Sequence, residues 1–249
     1  MVHWSDQGII VEMRKFGENK LILTLFTQNN GLAKGIYRPS KKTISFLSLG
    51  VLCACHWQAR LETQLGLWQL EVIQDSTAQL IFDPIKMGVA SYACQLLSLV
   101  LPERNAYPLL FDSMLEIFQS IPKDPLLALG VFELTVLESL GYGFTLDQCA
   151  ATGGTENLSW VSPKSGQAVS YEAGLPYQDK LFKLPQCMLE NGADNTQSFL
   201  GKSIGEDELK SIVLIAEYFI LKHFNDTCRL TDVMNSRRML LRKAFNRDT

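Results

Sequence analysis

The chain has 249 residues, 47% of them hydrophobic and 20% charged, with 23 Lys and Arg against 26 Asp and Glu for a formal net charge of −3. That length buries a substantial core in one or two domains. The most apolar stretches, Leu126 to Leu140 and Ile212 to Leu221, are interrupted by Glu133, Glu138 and Glu217, which excludes a spanning helix of roughly 18 or more consecutive apolar residues.

The overall charge hides a pattern. Residues 1–80 carry eight Lys and Arg against six Asp and Glu, residues 81–200 six against thirteen, and residues 201–249 nine against seven. The basic surplus lies at the two ends. The opening Met-Val-His-Trp-Ser-Asp lacks a basic-then-apolar export pattern, so a cytoplasmic location is expected. Cys53, Cys55, Cys94, Cys149, Cys187 and Cys228 are too dispersed for a disulfide framework and read mostly as small buried residues.

Along the first 80 residues, β-rich runs at Gly8 to Phe16, Lys20 to Thr27, Gly31 to Arg38, Val51 to Ala59 and Gly66 to Ile73 are separated by turn signals. Five short strands with no long helix between them predict a small closed antiparallel barrel of the OB kind, with an SH3-like barrel as the alternative. Trp57 and Trp68 are expected in its core. The loop Tyr37-Arg38-Pro39-Ser40-Lys41-Lys42 sets three cations beside an aromatic ring. Such a loop can neutralise phosphates while the ring stacks on a base; a merely solvated loop fits the same spacing. Lys34 and Arg14 are further candidates, against the plainer reading of strand cations on an exposed face.

From Asp83 the apolar period lengthens to about 3.6. Pro84 opens a helix through Leu101, a second runs from Ala106 to Ile121, and a third, apolar on nearly every side, runs from Pro125 to Leu140. Gly141 and Gly143 stop it. The knuckle Gly153-Gly154, the short strand Leu158 to Val161 and the turn Ser162-Pro163-Lys164-Ser165-Gly166 then read as a hairpin module with the layout of a zinc ribbon. The metal chemistry is missing: beside Cys149 stands Thr152, and the second turn offers only Ser162 and Ser165. A single thiolate cannot hold a structural zinc, so a module without metal is expected, held by Leu158, Trp160, Val161 and the turn glycines.

Ser203 to Glu206 has the spacing of a capping box opening a helix through about Phe224. The last helix, Thr231 to Phe245, contains Ser236-Arg237-Arg238-Met239-Leu240-Leu241-Arg242-Lys243, and between Arg229 and Arg247 there are six cations and one acid. Packed by Met239, Leu240 and Phe245, such a helix would set guanidinium groups at the rim of an apolar groove, which suits an acidic-hydrophobic peptide. A solvated helix with paired surface charges is the alternative.

The runs Leu140 to Cys149 and Ser162 to Ser170, with the stretch from Ser236 to Lys243, resemble the RecO family of DNA repair and recombination mediators, particularly bacterial members whose ribbon has lost most of its cysteines. The resemblance implies an α+β fold: an OB-like DNA-binding barrel over residues 1–80, then an α-helical domain over 81–249 with a ribbon-like hairpin lacking ligands inserted at 144–185. It also implies a non-enzymatic, nucleoid-associated protein that binds single- and double-stranded DNA, docks the acidic tail of the single-stranded-DNA-binding protein SSB, associates with RecR, anneals strands and helps load RecA. Arg38, Lys41, Lys42, Lys34, Arg14 and Tyr37 are then the DNA-binding candidates, and Arg237, Arg238, Arg242 and Lys243 the candidates for the SSB tail. The competing reading is an adaptor whose barrel is structural or RNA-binding.

No chemistry of another kind stands out. Gly201-Lys202-Ser203 has Thr196 where a phosphate-binding loop needs glycine. His3, His56 and His223 are scattered without metal-ligand spacing, His223 reading as a helix-end cation. Ser162 and Lys164 diverge on their turn rather than forming a nucleophilic pair. No catalytic residue, cofactor or metal is therefore expected.

Overall fold

Alternating apolar and polar residues between Val2 and Gln74 form five strands in the computed structural model, which describes residues 1–40, 47–61, 63–80, 82–120, 124–190 and 204–245. They are β1 (Val2–Lys15), β2 (Leu21–Thr27), β3 (Gly31–Tyr37), β4 (Leu52–Ala59) and β5 (Gly66–Gln74). The first strand begins well before Gly8: in Val2–Gln7 half-buried Val2, Trp4 and Asp6 alternate with exposed His3, Ser5 and Gln7, a polar mix that hides the strand period. A register shift between Ile10 and Glu12 lets β1 pair with β4 along its first half and with β2 along its second. Extra residues of this kind bend a strand and allow a sheet to close.

The barrel closes in the order β1-β2-β3-β5-β4. The expected all-antiparallel pairing holds at every seam but one: β3 and β5 run parallel, meeting at Gly35 with Gly66 and Ile36 with Leu67. Glycine is required there because two indoles fill the space beneath. A Cβ at Gly66 would lie 2.1 Å from Trp57, and one at Gly35 2.7 Å from Trp68. Both rings sit in the core and satisfy their N–H groups, Trp57 donating to the Lys34 carbonyl at 2.9 Å and Trp68 to that of Leu23 at 3.2 Å. Trp4 stacks on Trp57 and meets Trp68 edge-on.

After a single turn, α1 (Thr77–Leu80), Asp83 caps α2 (Pro84–Val100) by accepting from the amides of Ile85 and Lys86. Helix α3 (Pro108–Leu115) starts later than Ala106 and passes into a π-helical turn, Glu116–Ser120. The connection between α2 and α3 lies along β3. The Arg104 amide donates to the Leu32 carbonyl at 2.9 Å, and a Cβ at Gly31 would fall 1.9 Å from the Asn105 carbonyl oxygen. Phe111 meets Phe26 beneath the barrel, and the Phe118 ring fits against Gly50, whose φ is 89°.

The chain folds as two compact units, Met1–Ile121 with Thr231–Thr249, and Pro122–Leu230. In the second, α4 (Pro125–Ser139) is buried from Leu126 through Leu137, as its all-round apolar pattern predicts. It packs on α7, where Gly130 comes against Ile212. Between them in the sequence comes a three-stranded sheet, β7-β6-β8, from β6 (Leu158–Val161), β7 (Ala168–Ser170) and β8 (Phe182–Lys183), so the expected hairpin carries a third strand. Short helices α5 (Tyr171–Gly174) and α6 (Gln186–Glu190) precede α7 (Glu206–Phe224), whose N-cap is Gly205 without a side-chain cap; Ser203 lies outside the described residues. The final helix, α8 (Leu230–Phe245), belongs to the barrel's unit from Thr231 on. There Met234 accepts from the Tyr92 hydroxyl and Leu240 fills the space above Gly88.

Candidate nucleic-acid interface

Strand alternation decides which barrel cations reach solvent. On β3, Ala33, Gly35 and Tyr37 point inward while Lys34 and Ile36 are half-buried on the outer face, and exposed Arg38 follows. Tyr37 is only 7% exposed and belongs to the barrel core, so it is not available to stack on a base. Burial of its apolar ring in the closed barrel outweighs the exposure that the loop pattern suggested. Lys41 and Lys42 lie outside the described residues.

The remaining strand cations carry local partners. The Lys34 ammonium lies 2.7 Å from Glu103, and Arg14 lies 3.0 Å from Glu12, whose other oxygen accepts from the Thr24 hydroxyl. Arg14 is exposed and Lys34 half-buried with its ammonium at the surface, and surface pairs of this kind contribute only about 0–1 kcal/mol. A phosphate can therefore displace either carboxylate at small cost. Arg104 lays its guanidinium 4.3 Å from the centre of the Trp57 ring from a backbone φ of 64°. Sequence reading missed it, because it stands in a helix connection some seventy residues from the strand it borders. Arg60, at the β4–β5 turn, is exposed.

On α8 the four candidate cations divide. Arg238, Arg242 and Lys243 are exposed, but Arg237 is 0% exposed, buried alongside Val233 and Met234. Helix geometry places it there: residues 230, 233, 234 and 237 share the inward face, so Arg237 does not belong to an exposed basic face. The opposite face presents Met239, 70% exposed, with exposed Arg242 and Lys243 beside it three and four positions on.

The ribbon keeps its knuckle without the metal donors. A structural zinc takes four sulfur or nitrogen ligands, whereas the two turns supply Cys149, Thr152, Ser162 and Ser165. Among the described residues no group of three or more His, Cys, Asp or Glu converges. These residues do not fit a zinc ion. Instead Cys149 lies buried and accepts from the Ser170 amide at 3.2 Å. Burial disfavours its thiolate, but hydrogen bonds from the Ser170 and Thr152 hydroxyls and from the Ser170 and Ala151 amides together prevail, and its pKa falls to about 6.

At the second turn, Lys222 of α7 donates to the carbonyls of Pro163 at 2.8 Å and Lys164 at 2.7 Å. Gly166 packs near Phe144 and Phe219, and Trp160 covers Gly174. His223, expected as a helix-end cation, stacks on Tyr142 at 4.0 Å, and burial together with the adjacent Lys222 charge lowers its pKa, which works against the charged form.

A closed five-stranded barrel of this strand order belongs to the OB class, whose members bind oligonucleotides or oligosaccharides on their outer strands and loops. Residues 1–75 match the family described as recombination protein O N terminal, and residues 81–224 match recombination protein O C terminal. The chain is 33% identical over 226 residues to the DNA repair protein RecO of Ehrlichia chaffeensis, covering 90% of this chain and 91% of that protein. It is 35% identical over 228 residues to the DNA repair protein RecO of Bartonella henselae, covering 88% and 84%. The chain belongs to the RecO family of DNA repair proteins. No helix among the described residues is long and apolar enough to cross a membrane.

Proposed function

We propose that the protein is a non-enzymatic recombination mediator that binds single- and double-stranded DNA through its barrel and the SSB tail through α8. The observation that carries this reading is the set of cations, exposed Arg14 and Arg38 with half-buried Lys34 between, on the outer side of an OB barrel in a RecO-family chain. Phosphate neutralisation supplies affinity without sequence preference. For the tail, Arg238, Arg242 and Lys243 offer partners to carboxylates while Met239 offers an apolar contact. Arg237 is left out of that site because it is buried.

Holding SSB and nearby DNA at once raises the effective concentration of one for the other. That favours local exchange on coated strand, strand annealing and, with RecR, the loading of RecA. None of these steps needs a nucleotide. Titration of single-stranded DNA binding against salt tests the reading: affinity should be micromolar or tighter and fall steeply as salt rises. Weak, salt-independent binding sinks it and favours the adaptor alternative. In parallel, Arg238→Glu with Arg242→Glu should abolish binding of an SSB-tail peptide; unchanged binding moves the tail site off α8.

A further inference from the structure

One row of outward-facing residues crosses the five strands in register, starting and ending at different points of β1. Arg14 pairs with Ile22, Ile22 with Ile36, Ile36 with Leu67, Leu67 with Gln58, and Gln58 with His3. Its β2, β3 and β5 positions are all apolar: Ile22 and Ile36 are half-buried and Leu67 is 42% exposed. The other positions, Arg14, Gln58 and His3, are polar, so the apolar row is local. Neighbouring strands lie about 4.8 Å apart, so the row spans roughly 10 Å, enough for about three bases at the ~3.4 Å spacing of a stacked strand.

Cations border this row. Arg14 is its in-register neighbour on β1, and Ile36 lies between Lys34 and Arg38 along the chain. A ligand that suits the surface presents flat apolar groups in series with anionic groups beside them. Single-stranded DNA has that chemistry, whereas a duplex keeps its base faces stacked inside and offers only phosphates and groove edges.

We infer that Ile22, Ile36 and Leu67 form a base-contacting ridge that makes the barrel prefer unpaired DNA, with Arg14, Lys34 and Arg38 holding the flanking phosphates. The inference rests on the DNA-binding reading above and assigns the apolar half of that site. Cations alone bind both DNA forms; the ridge adds contact only where bases are free.

Salt dependence separates the two parts, because its slope counts phosphates and not apolar contacts. In the full-length protein, Leu67→Ser should weaken binding to an oligothymidylate roughly fivefold at unchanged salt slope, and leave binding to a duplex of the same length unchanged. Leu67→Trp should strengthen oligothymidylate binding roughly fivefold through stacking, which guards against a serine variant that merely misfolds. If the unsubstituted protein binds DNA with a steep salt dependence but neither variant changes oligothymidylate affinity, the ridge is overturned and the DNA reading stands. Equal loss on both DNA forms also overturns it. Unchanged DNA binding with lost capture of RecR would assign the row to a protein partner instead. Absence of salt-dependent DNA binding by the unsubstituted protein refutes both.

Discussion

Replacing Lys222 with Met tests what fastens the ribbon in place of a metal. The ammonium donates to two carbonyls of the second turn, Pro163 and Lys164, and lies 5.2 Å from the centre of the Phe219 ring. Methionine keeps most of the stem but removes charge and donors. Hydrogen bonds to a charged group contribute about 1.5–3 kcal/mol each when shielded. Lys222 is exposed, water replaces part of what is lost, and about 1–2 kcal/mol for the pair is the reasonable total. That should speed local opening, and hence hydrogen exchange, roughly 5- to 30-fold at the amides closing this turn. Those amides are Gly166, which donates to Ser162, and Thr145, which donates to Gly166. A second readout is independent of stability. Because the Lys222 charge is one of the two causes lowering the His223 pKa, Lys222→Met should raise it toward its ordinary value in an NMR titration. Unchanged exchange at Gly166 and Thr145 with an unshifted His223 would refute the fastening role.

Three further outcomes are expected. Gly50→Ala should cost about 2–3 kcal/mol in denaturant unfolding, since its φ is 89° and the new Cβ would fall 2.0 Å from the Phe118 ring; a midpoint within error of the parent is incompatible with that packing. The Cys149 pKa is lowered from 9.0 to about 6, so its thiolate bonds stabilise the fold fully above about pH 9 and lose that contribution as pH falls through 6. The melting-temperature gap between the parent and Cys149→Ser should therefore widen from pH 6 to 9, and a constant gap removes the thiolate from the account. Glu103→Gln releases Lys34 from its 2.7 Å ion pair and should tighten DNA binding about two- to fivefold at low salt; weaker binding would mean that Glu103 positions Lys34 for phosphate.

Strand and helix positions were legible where one face dominates. β2 to β5 and α4 follow their patterns closely, because period-two alternation and an all-apolar helix leave little choice. The first half of β1 was hidden by Asp6 among its inward positions: its carboxylate accepts from the side chains of Asn29 and Asn30, an arrangement invisible to local pattern. Site residues were harder to read. Tyr37 and Arg237 carry the right chemistry, yet their direction is fixed by barrel closure and by the inward face of α8. Arg104 and Lys222 act through contacts with segments distant in sequence, and no spacing along the chain encodes them.

The net charge of the chain is unevenly divided between its two units. Because α8 folds with the barrel, the two basic ends of the sequence fall in the same unit. That unit carries 15 Lys and Arg against 12 Asp and Glu, and the other 8 against 14, so net charges of +3 and −6 make up the −3 of the whole. A weakly acidic protein thus presents one basic body and one acidic body to an anionic ligand. For a DNA ligand this division of charge favours approach through the barrel's unit and disfavours approach through the acidic one. Screening over a Debye length of about 8 Å at physiological salt confines this steering to short range. Binding through the barrel should therefore depend on salt far more steeply than the net charge of the chain suggests.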